Sequence, residues 1–176
     1  MSRSIYCVGR KNNGQLEMRV CEGRRGKEPA KRVSIVSIKM IREGSVLYDV
    51  RKICSPADAV GLGRRFLEDA DREQLVVCCL DTKNQPQSVN VVSIGTLNSS
   101  SICHPREIFK IAVMSNSASV IVFHNHPSGD PDPSNEDISI TNRLKEAGKI
   151  MGIELLDHII IGSEGRYCSL KEKGIL

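Results

Sequence analysis

The sequence predicts an α/β fold in which a mixed β-sheet is flanked by helices and preceded by a small β-rich extension. Apolar, β-branched runs of strand length at residues 75–80, 88–95 and 120–123 alternate with amphipathic helical patterns, which is typical of this class. The 176 residues suffice to bury a sizeable core, and since only 3% are aromatic, that core must consist mainly of Ile, Val, Leu and Ala.

Charge divides the chain into two parts. Residues 1–52 carry 13 Lys and Arg against 5 Asp and Glu, a net charge of +8, whereas the remaining 124 residues carry 12 against 16, a net charge of −4. We therefore expect a basic N-terminal extension at residues 1–54 and a main domain at residues 55–176.

The extension contains three strand-like patterns. Those at residues 5–8 and 16–21 are weak, whereas a clearer one at residues 33–41 is followed by a Glu-Gly turn and by residues 45–50, so we expect a β-hairpin there. We interpret the basic connector at residues 24–32 as a solvated loop. Weak binding of nucleic acid through this segment is the alternative, although no aromatic side chains are interleaved there to stack on bases.

The main domain begins with a helix that has Ser55 as its N-cap and Pro56 as its first residue, and that runs to about residue 70. The strands at residues 75–80 and 88–95 are joined by a link too short for a crossover, which makes the pair antiparallel. A helix from Pro105 then leads to the strand at residues 120–123. This strand–helix–strand passage is a crossover, and the sheet is therefore mixed.

A final helix, from Ser134 to about residue 152, precedes a long strand at residues 153–161 and a short edge strand at residues 166–170. Asp157 and His158 interrupt the apolar pattern of the long strand. We expect these two residues to be hydrogen-bonded to each other, with support of a neighbouring metal site as the alternative.

Two histidines and one carboxylate are placed to bind a metal ion. His124 and His126 end the strand at residues 120–123 and project from the same face, because side chains alternate along a strand. A loop with three prolines then leads to Asp137 in the first turn of the next helix. Zinc uses such ligands in catalytic sites, where an activated water completes the coordination. A histidine on an apolar strand or an acid at a helix start is common by itself, but their conjunction in a chain with only 4 histidines favours a metal site.

The cysteines and the hydropathy indicate a reducing compartment. The 7 cysteines show no Cys-x-x-Cys spacing, so we expect reduced thiols, and the adjacent Cys78 and Cys79 must point to opposite faces of a strand. No apolar run has the length of a membrane span, and the polar first residues do not resemble a signal peptide. We therefore expect a cytoplasmic protein without membrane contact.

The spacing of His124-x-His126, Ser134 and Asp137 resembles the JAMM signature of the JAB/MPN metallopeptidase domains. The neighbouring sequences His-Asn-His-Pro-Ser-Gly-Asp at residues 124–130, Pro-Arg-Glu at residues 105–107 and Leu-Asp-His at residues 156–158 resemble the RadC-like branch of these domains. The resemblance implies a JAB/MPN sandwich that holds one Zn²⁺ through His124, His126 and Asp137. It also implies a zinc-dependent hydrolase that cleaves a peptide or isopeptide bond in a peptide or protein substrate, and the RadC-like proteins are named for DNA repair.

The JAMM pattern further implies a glutamate upstream of the histidines, at the start of a strand beside the metal-binding strand. Glu73 lies directly before the strand at residues 75–80 and is the general base that we expect, while Glu107, at a helix start, is the competitor. For Ser134 the resemblance implies a hydrogen bond to the developing oxyanion, in addition to its role as N-cap.

Two other functions stay open at this level. One is a metal-dependent phosphodiesterase that acts on nucleic acid, and the other is a non-catalytic DNA-binding module in which the metal only staples the loop. A single metal suits amide hydrolysis, whereas many nucleases use a pair of cations. The oligomeric state is also open, a homodimer included.

Overall fold

A computed structural model of the protein describes residues 4–10, 16–22, 34–94 and 104–176. The described residues fall into two compact units, one ending at Lys39 and the other extending from Met40 to Leu176. Residues 40–54 thus group with the larger unit, whereas the change in charge led us to expect a boundary after residue 54. The basic connector at residues 24–32 lies outside the described residues.

The smaller unit contains an antiparallel pair of strands, β1 (Ser4–Arg10) and β2 (Leu16–Glu22), at the two weaker of the three patterns. The hairpin expected at residues 33–50 is wrong, because the structure describes residues 34–50 and assigns no strand to them. Ile35 is 102% exposed and Leu47 81% exposed, so these side chains have no sheet to pack against. An alternating pattern becomes a strand only where a ladder partner is available.

The described part of the larger unit contains three helices and five strands, which are α1 (Pro56–Leu67), β3 (Gln74–Leu80), β4 (Pro86–Ile94), α2 (Pro105–Met114), β5 (Ser119–Asn125), α3 (Asn135–Met151), β6 (Glu154–Ile161) and β7 (Tyr167–Ser169). The five strands form one sheet in the order β4-β3-β5-β6-β7. Strand β3 is antiparallel to both β4 and β5, β5 is parallel to β6, and β6 is antiparallel to β7. The mixed sheet predicted from the crossover is therefore confirmed.

Helices cover both faces of this sheet. One face packs on α1, with a core that includes Cys78, Phe123 and Ile159. The other face packs on α2 and α3, with a core that includes Cys79 and Val122. The two adjacent cysteines thus point to opposite faces, and burial raises the pKa of the Cys78 thiol to about 12. Among the described residues, no helix combines the length and the apolarity that crossing a bilayer requires.

Helix α1 lies close to the metal-binding strand at Gly63. A Cβ atom at this position would lie 2.6 Å from Cδ1 of Phe123, the residue directly before His124. Gly61, on the same helix, has nothing within 4 Å of the corresponding position. Because Gly63 has no side chain, helix α1 can pack directly against the ring of Phe123, which is fully buried.

We expect opposite effects on stability from alanine at these two glycines. Gly63→Ala should lower the free energy of unfolding by about 1–3 kcal/mol, because the added methyl group overpacks the core against Phe123. Gly61→Ala should raise it by about 0.5–1 kcal/mol, because alanine in an open helical position loses less backbone entropy. Urea unfolding of both variants measures the difference, and a Gly63→Ala protein as stable as Gly61→Ala would contradict the close approach.

Candidate metal centre

The predicted metal ligands meet at one end of the sheet, where strand β5 ends and the neighbouring strand β3 begins. His124 lies opposite Leu75 in the antiparallel register of these strands. Glu73, which directly precedes β3, is thereby brought to the end of β5. Glu73 was preferred as the general base on the condition that its strand neighbours the strand of His124. Strands β3 and β5 are neighbours, so this condition is met.

Asp137 is held in the first turn of α3 by a capping box. The backbone N–H of Asp137 donates to Oγ of Ser134 at 3.1 Å, and the backbone N–H of Ser134 donates to Oδ2 of Asp137 at 2.8 Å. The Ser134 hydroxyl also donates to Oδ2 at 2.6 Å. This reciprocal cap begins the helix and fixes the rotamer of the carboxylate.

Four potential ligand atoms from three side chains lie close together. The Nε2 atoms of His124 and His126 are 3.0 Å apart. Oδ1 of Asp137 lies 3.1 Å from Nε2 of His124, and Oδ2 lies 3.4 Å from Nε2 of His126. Ligands bound to a tetrahedral zinc ion at about 2.0–2.1 Å are separated by about 3.3 Å, so the spacing of these atoms is close to that of ligands on one divalent cation.

The other ring nitrogen of each histidine is already engaged. Nδ1 of His126 donates to the carbonyl oxygen of Asp130 at 2.7 Å. Nδ1 of His124 lies 2.9 Å from Nε2 of His158, whose Nδ1 lies 2.6 Å from Oγ1 of Thr141. The two Nε2 atoms are therefore the nitrogens that face the convergence point.

Charge at the centre is buried and strongly coupled. Asp137 is 2% exposed and His124 is 0% exposed. Burial by itself would raise the pKa of Asp137, yet the hydrogen bonds with His124 and His126 hold it well below its usual range. The bond with Asp137 raises the pKa of His126 despite partial burial, whereas burial lowers the pKa of His158 to about 3. An ionised carboxylate in this position is suited to binding a cation.

A pocket of about 250 Å³ opens onto these atoms and is lined by Glu73, His126, Pro127, Ser128, Ser134, Glu136 and Asp137. A carboxylate oxygen of Glu73 lies within 4.8 Å of a ring nitrogen of both His124 and His126. Glu107 is not among the lining residues, and its carboxylate binds Lys110 at 2.6 Å and Arg106 at 3.1 Å. The structure thus brings Glu73 to the two histidines and leaves Glu107 in surface ion pairs.

Asn125 is a further residue of the site, one that was not predicted from the sequence. Its Oδ1 accepts from the backbone N–H of Gln74 at 2.8 Å, and its Nδ2 donates to the carbonyl oxygen of Arg72 at 3.1 Å. The amide therefore holds the backbone on both sides of Glu73. The signal available in the sequence was a polar residue between two metal-binding histidines, which alternation turns to the opposite face of the strand.

Asp157 and His158 serve different partners. The backbone N–H of His158 donates to Oδ1 of Asp157 at 2.8 Å, but strand alternation turns their side chains to opposite faces. Oδ2 of Asp157 accepts from Ser169 at 2.7 Å and Oδ1 accepts from the backbone of Lys171 at 3.1 Å, which fastens the C-terminal segment to β6. His158 instead contacts His124, as in the alternative that assigned it to the metal site.

Known proteins are similar in sequence to most of the larger unit. Residues 53–175 match the family model described as the RadC-like JAB domain. A UPF0758 protein of Methanosarcina barkeri is 56% identical over 126 residues, which cover 72% of this chain and 54% of that protein. A UPF0758 protein of Clostridium kluyveri is 56% identical over 128 residues, with 73% and 55% covered, and one of Methanococcoides burtonii is 49% identical over 155 residues, with 86% and 67% covered.

The chain thus spans about half the length of the first two of these relatives. The match includes β3, β5 and the start of α3, the elements that carry the converging side chains. The cluster of Glu73, His124 and His126 could hold a metal ion. The chain belongs to the RadC-like JAB domain family.

Proposed function

We propose that this protein is a zinc-dependent hydrolase of the JAMM type that cleaves a peptide or isopeptide bond. The observation that carries the proposal is the convergence of His124, His126 and Asp137 within 3.0–3.4 Å of one another beside Glu73. When bound, the metal would polarise a carbonyl group and lower the pKa of a water molecule towards neutrality. The remaining requirements of amide hydrolysis fall to side chains of this chain.

Asp137 rather than Glu73 is the third ligand in this proposal. The oxygens of Asp137 are 3.1 and 3.4 Å from the two Nε2 atoms, close to the spacing of neighbouring ligands on one zinc ion. Glu73 also lines the pocket, with a carboxylate oxygen within 4.8 Å of a ring nitrogen of both histidines. With Asp137 as the third ligand, the carboxylate of Glu73 is placed to reach the proton of the attacking water.

Glu73 acts as the general base and then as the general acid. Hydrolysis of an amide requires the water to lose a proton, the carbon–nitrogen bond to break and the departing amine to gain a proton. Glu73 can accept the first proton and return it to the nitrogen, since it lines the pocket and Asn125 holds the backbone on either side of it. Ser134 also lines the pocket, and its hydroxyl can donate to the oxyanion when it turns away from Asp137.

The charge of the pocket favours an amide over a phosphodiester substrate. Glu73, Glu136 and Asp137 line it, and none of its lining residues is Lys or Arg. One divalent cation would leave this set of carboxylates with a net negative charge, which repels a nucleic-acid backbone. Among the described residues, the cluster that includes Glu73 and the two histidines offers one metal site, whereas many nucleases use two metals.

A purely structural metal is disfavoured by access to the site. Structural zinc sites are closed by four protein ligands, whereas catalytic sites keep one position open. Three side chains converge here, and the side chain of His126 remains 17% exposed at the pocket. We therefore propose a catalytic role, with a metal that exchanges with chelators.

The first prediction concerns metal content. The purified protein should bind about one zinc ion per chain, and His126→Ala or Asp137→Asn should reduce this to a small fraction, because each removes one of three ligands. His104→Ala is the matched control, since His104 caps α2 through a bond to the backbone of Arg106 and contributes nothing to the convergence point. Elemental analysis after dialysis decides the matter, and stoichiometric zinc in His126→Ala would refute the site.

The second prediction concerns the general base. Glu73→Gln should keep its zinc and lose about two to four orders of magnitude in turnover, because the amide cannot accept the proton. Glu107→Gln should remain active, because its carboxylate is occupied by Lys110 and Arg106. Hydrolysis should be measured with a panel of peptide, isopeptide and DNA substrates.

An active Glu73→Gln beside an inactive, zinc-replete Glu107→Gln would reverse this assignment. Cleavage of DNA without cleavage of any peptide or isopeptide would instead favour the phosphodiesterase. Zinc binding without hydrolysis of any substrate in the panel would leave the metal centre intact and remove the support for a hydrolase.

A further inference from the structure

A chain of three buried hydrogen bonds runs from the backbone of α3 to the metal-binding ring of His124. Oγ1 of Thr141 lies 2.6 Å from the carbonyl oxygen of Asp137 and 2.6 Å from Nδ1 of His158. Nε2 of His158 lies 2.9 Å from Nδ1 of His124. Thr141 and His124 are 0% exposed and His158 is 1% exposed, so bulk water cannot substitute for any of these partners.

Each bond in this chain can run in only one direction. A carbonyl oxygen accepts and never donates, so the single hydroxyl proton of Thr141 lies on the bond to Asp137. Oγ1 of Thr141 must then accept from His158, which places a proton on Nδ1 of that ring. His158 meets a hydroxyl group and an imidazole and has no carboxylate among its hydrogen-bond partners, so a second proton would create a buried cation without a counter-ion.

The orientation of His124 follows from this order. Neutral His158 presents a bare Nε2, which accepts the proton on Nδ1 of His124. Nδ1 of His124 therefore carries a proton, and the ring turns Nε2, the nitrogen available to a metal, toward the convergence point. This Nε2 lies 3.0 Å from Nε2 of His126 and 3.1 Å from Oδ1 of Asp137.

We propose that Thr141 and His158 are positioning residues that hold His124 in the Nδ1-protonated tautomer and so present its Nε2 to the metal. The inference rests on the proposed function only in taking His124 as a metal ligand. Because Thr141 bonds to the carbonyl oxygen of Asp137, one hydroxyl group also links the backbone of the carboxylate ligand to the orientation of the histidine ligand. Outer partners of this kind fix both ring orientation and tautomer.

Removal of the Thr141 hydroxyl should allow His158, and with it His124, to adopt the other tautomer. In Thr141→Val, Nδ1–H of His158 has no acceptor, and the ring avoids a buried unpaired donor by carrying its proton on Nε2 instead. That proton points at Nδ1 of His124, which must then accept, and His124 carries its own proton on Nε2. A metal ion has to displace this proton before it can bind.

The experiment compares Thr141→Val with Thr141→Ser, which keeps the hydroxyl group. Long-range ¹H–¹⁵N correlation spectra of the metal-free proteins identify which nitrogen of each histidine is protonated. We expect a proton on Nδ1 of His124 in the wild type and in Thr141→Ser, and loss of the proton from Nδ1 in Thr141→Val. Competition with a zinc chelator should show affinity about 10–100-fold lower for Thr141→Val than for Thr141→Ser.

Two outcomes would overturn the proposal. One is an unchanged tautomer of His124 in Thr141→Val, and the other is an equal loss of zinc affinity in Thr141→Ser and Thr141→Val, which would assign the effect to packing. Thr141→Ala provides a second hydroxyl-free variant if valine prevents folding. The tautomer is read without metal or substrate, so the result stands even if the wild type binds no zinc or hydrolyses nothing, either of which would count against the proposed function alone.

Discussion

The pairing of the buried Asp137 carboxylate with two imidazoles is the interaction on which the rest of the structure around the site depends. An ionised carboxylate that is 2% exposed is costly unless it has partners, and its partners His124 and His126 come from a different element of the fold. The parallel crossover from β5 through α3 to β6 solves this problem, because α3 begins just beyond the edge of the sheet at which β5 ends.

The buried polar groups around this pair are arranged so that few alternatives are available to them. Ser134 makes hydrogen bonds with the carboxylate and with the backbone N–H of Asp137. Asn125 makes hydrogen bonds with the backbone on both sides of Glu73. Behind His124, the ring of His158 and the hydroxyl of Thr141 complete a chain of bonds with one direction. In a low-dielectric interior each lost partner costs more than it would in water, so these groups preorganise the ligands before any cation arrives.

The same arrangement is unfavourable without a cation. Glu73 and Glu136 line the pocket together with Asp137, and like charges raise the free energy of one another when they share a site. In the metal-free protein the imidazoles bear part of the compensation, as the raised pKa of His126 indicates. A divalent cation at this position would relieve the repulsion, whereas a polyanion would add to it.

Local chemistry in the sequence was sufficient for much of this description. Apolar periodicity located the strands and helices of the larger unit, and the mixed sheet followed from the length of the connections. The spacing of His124 and His126 predicted one strand face because alternation is a property of the strand itself. The cap at Ser134 predicted the place of Asp137 because the capping box is closed within three residues.

Only the tertiary structure decided the contacts between residues that are distant in the sequence. The antiparallel register that sets Leu75 opposite His124 brought Glu73 to the histidines, whereas nothing local separated it from Glu107. The roles of Asn125, Thr141 and His158 depend on partners in other elements, and the strand pattern at residues 33–50 was misleading because it found no ladder partner among the described residues. Periodicity and capping are energies of neighbours along the chain and can be read from the sequence. Ladder pairing, burial and the direction of a hydrogen bond are settled only when separate elements pack together.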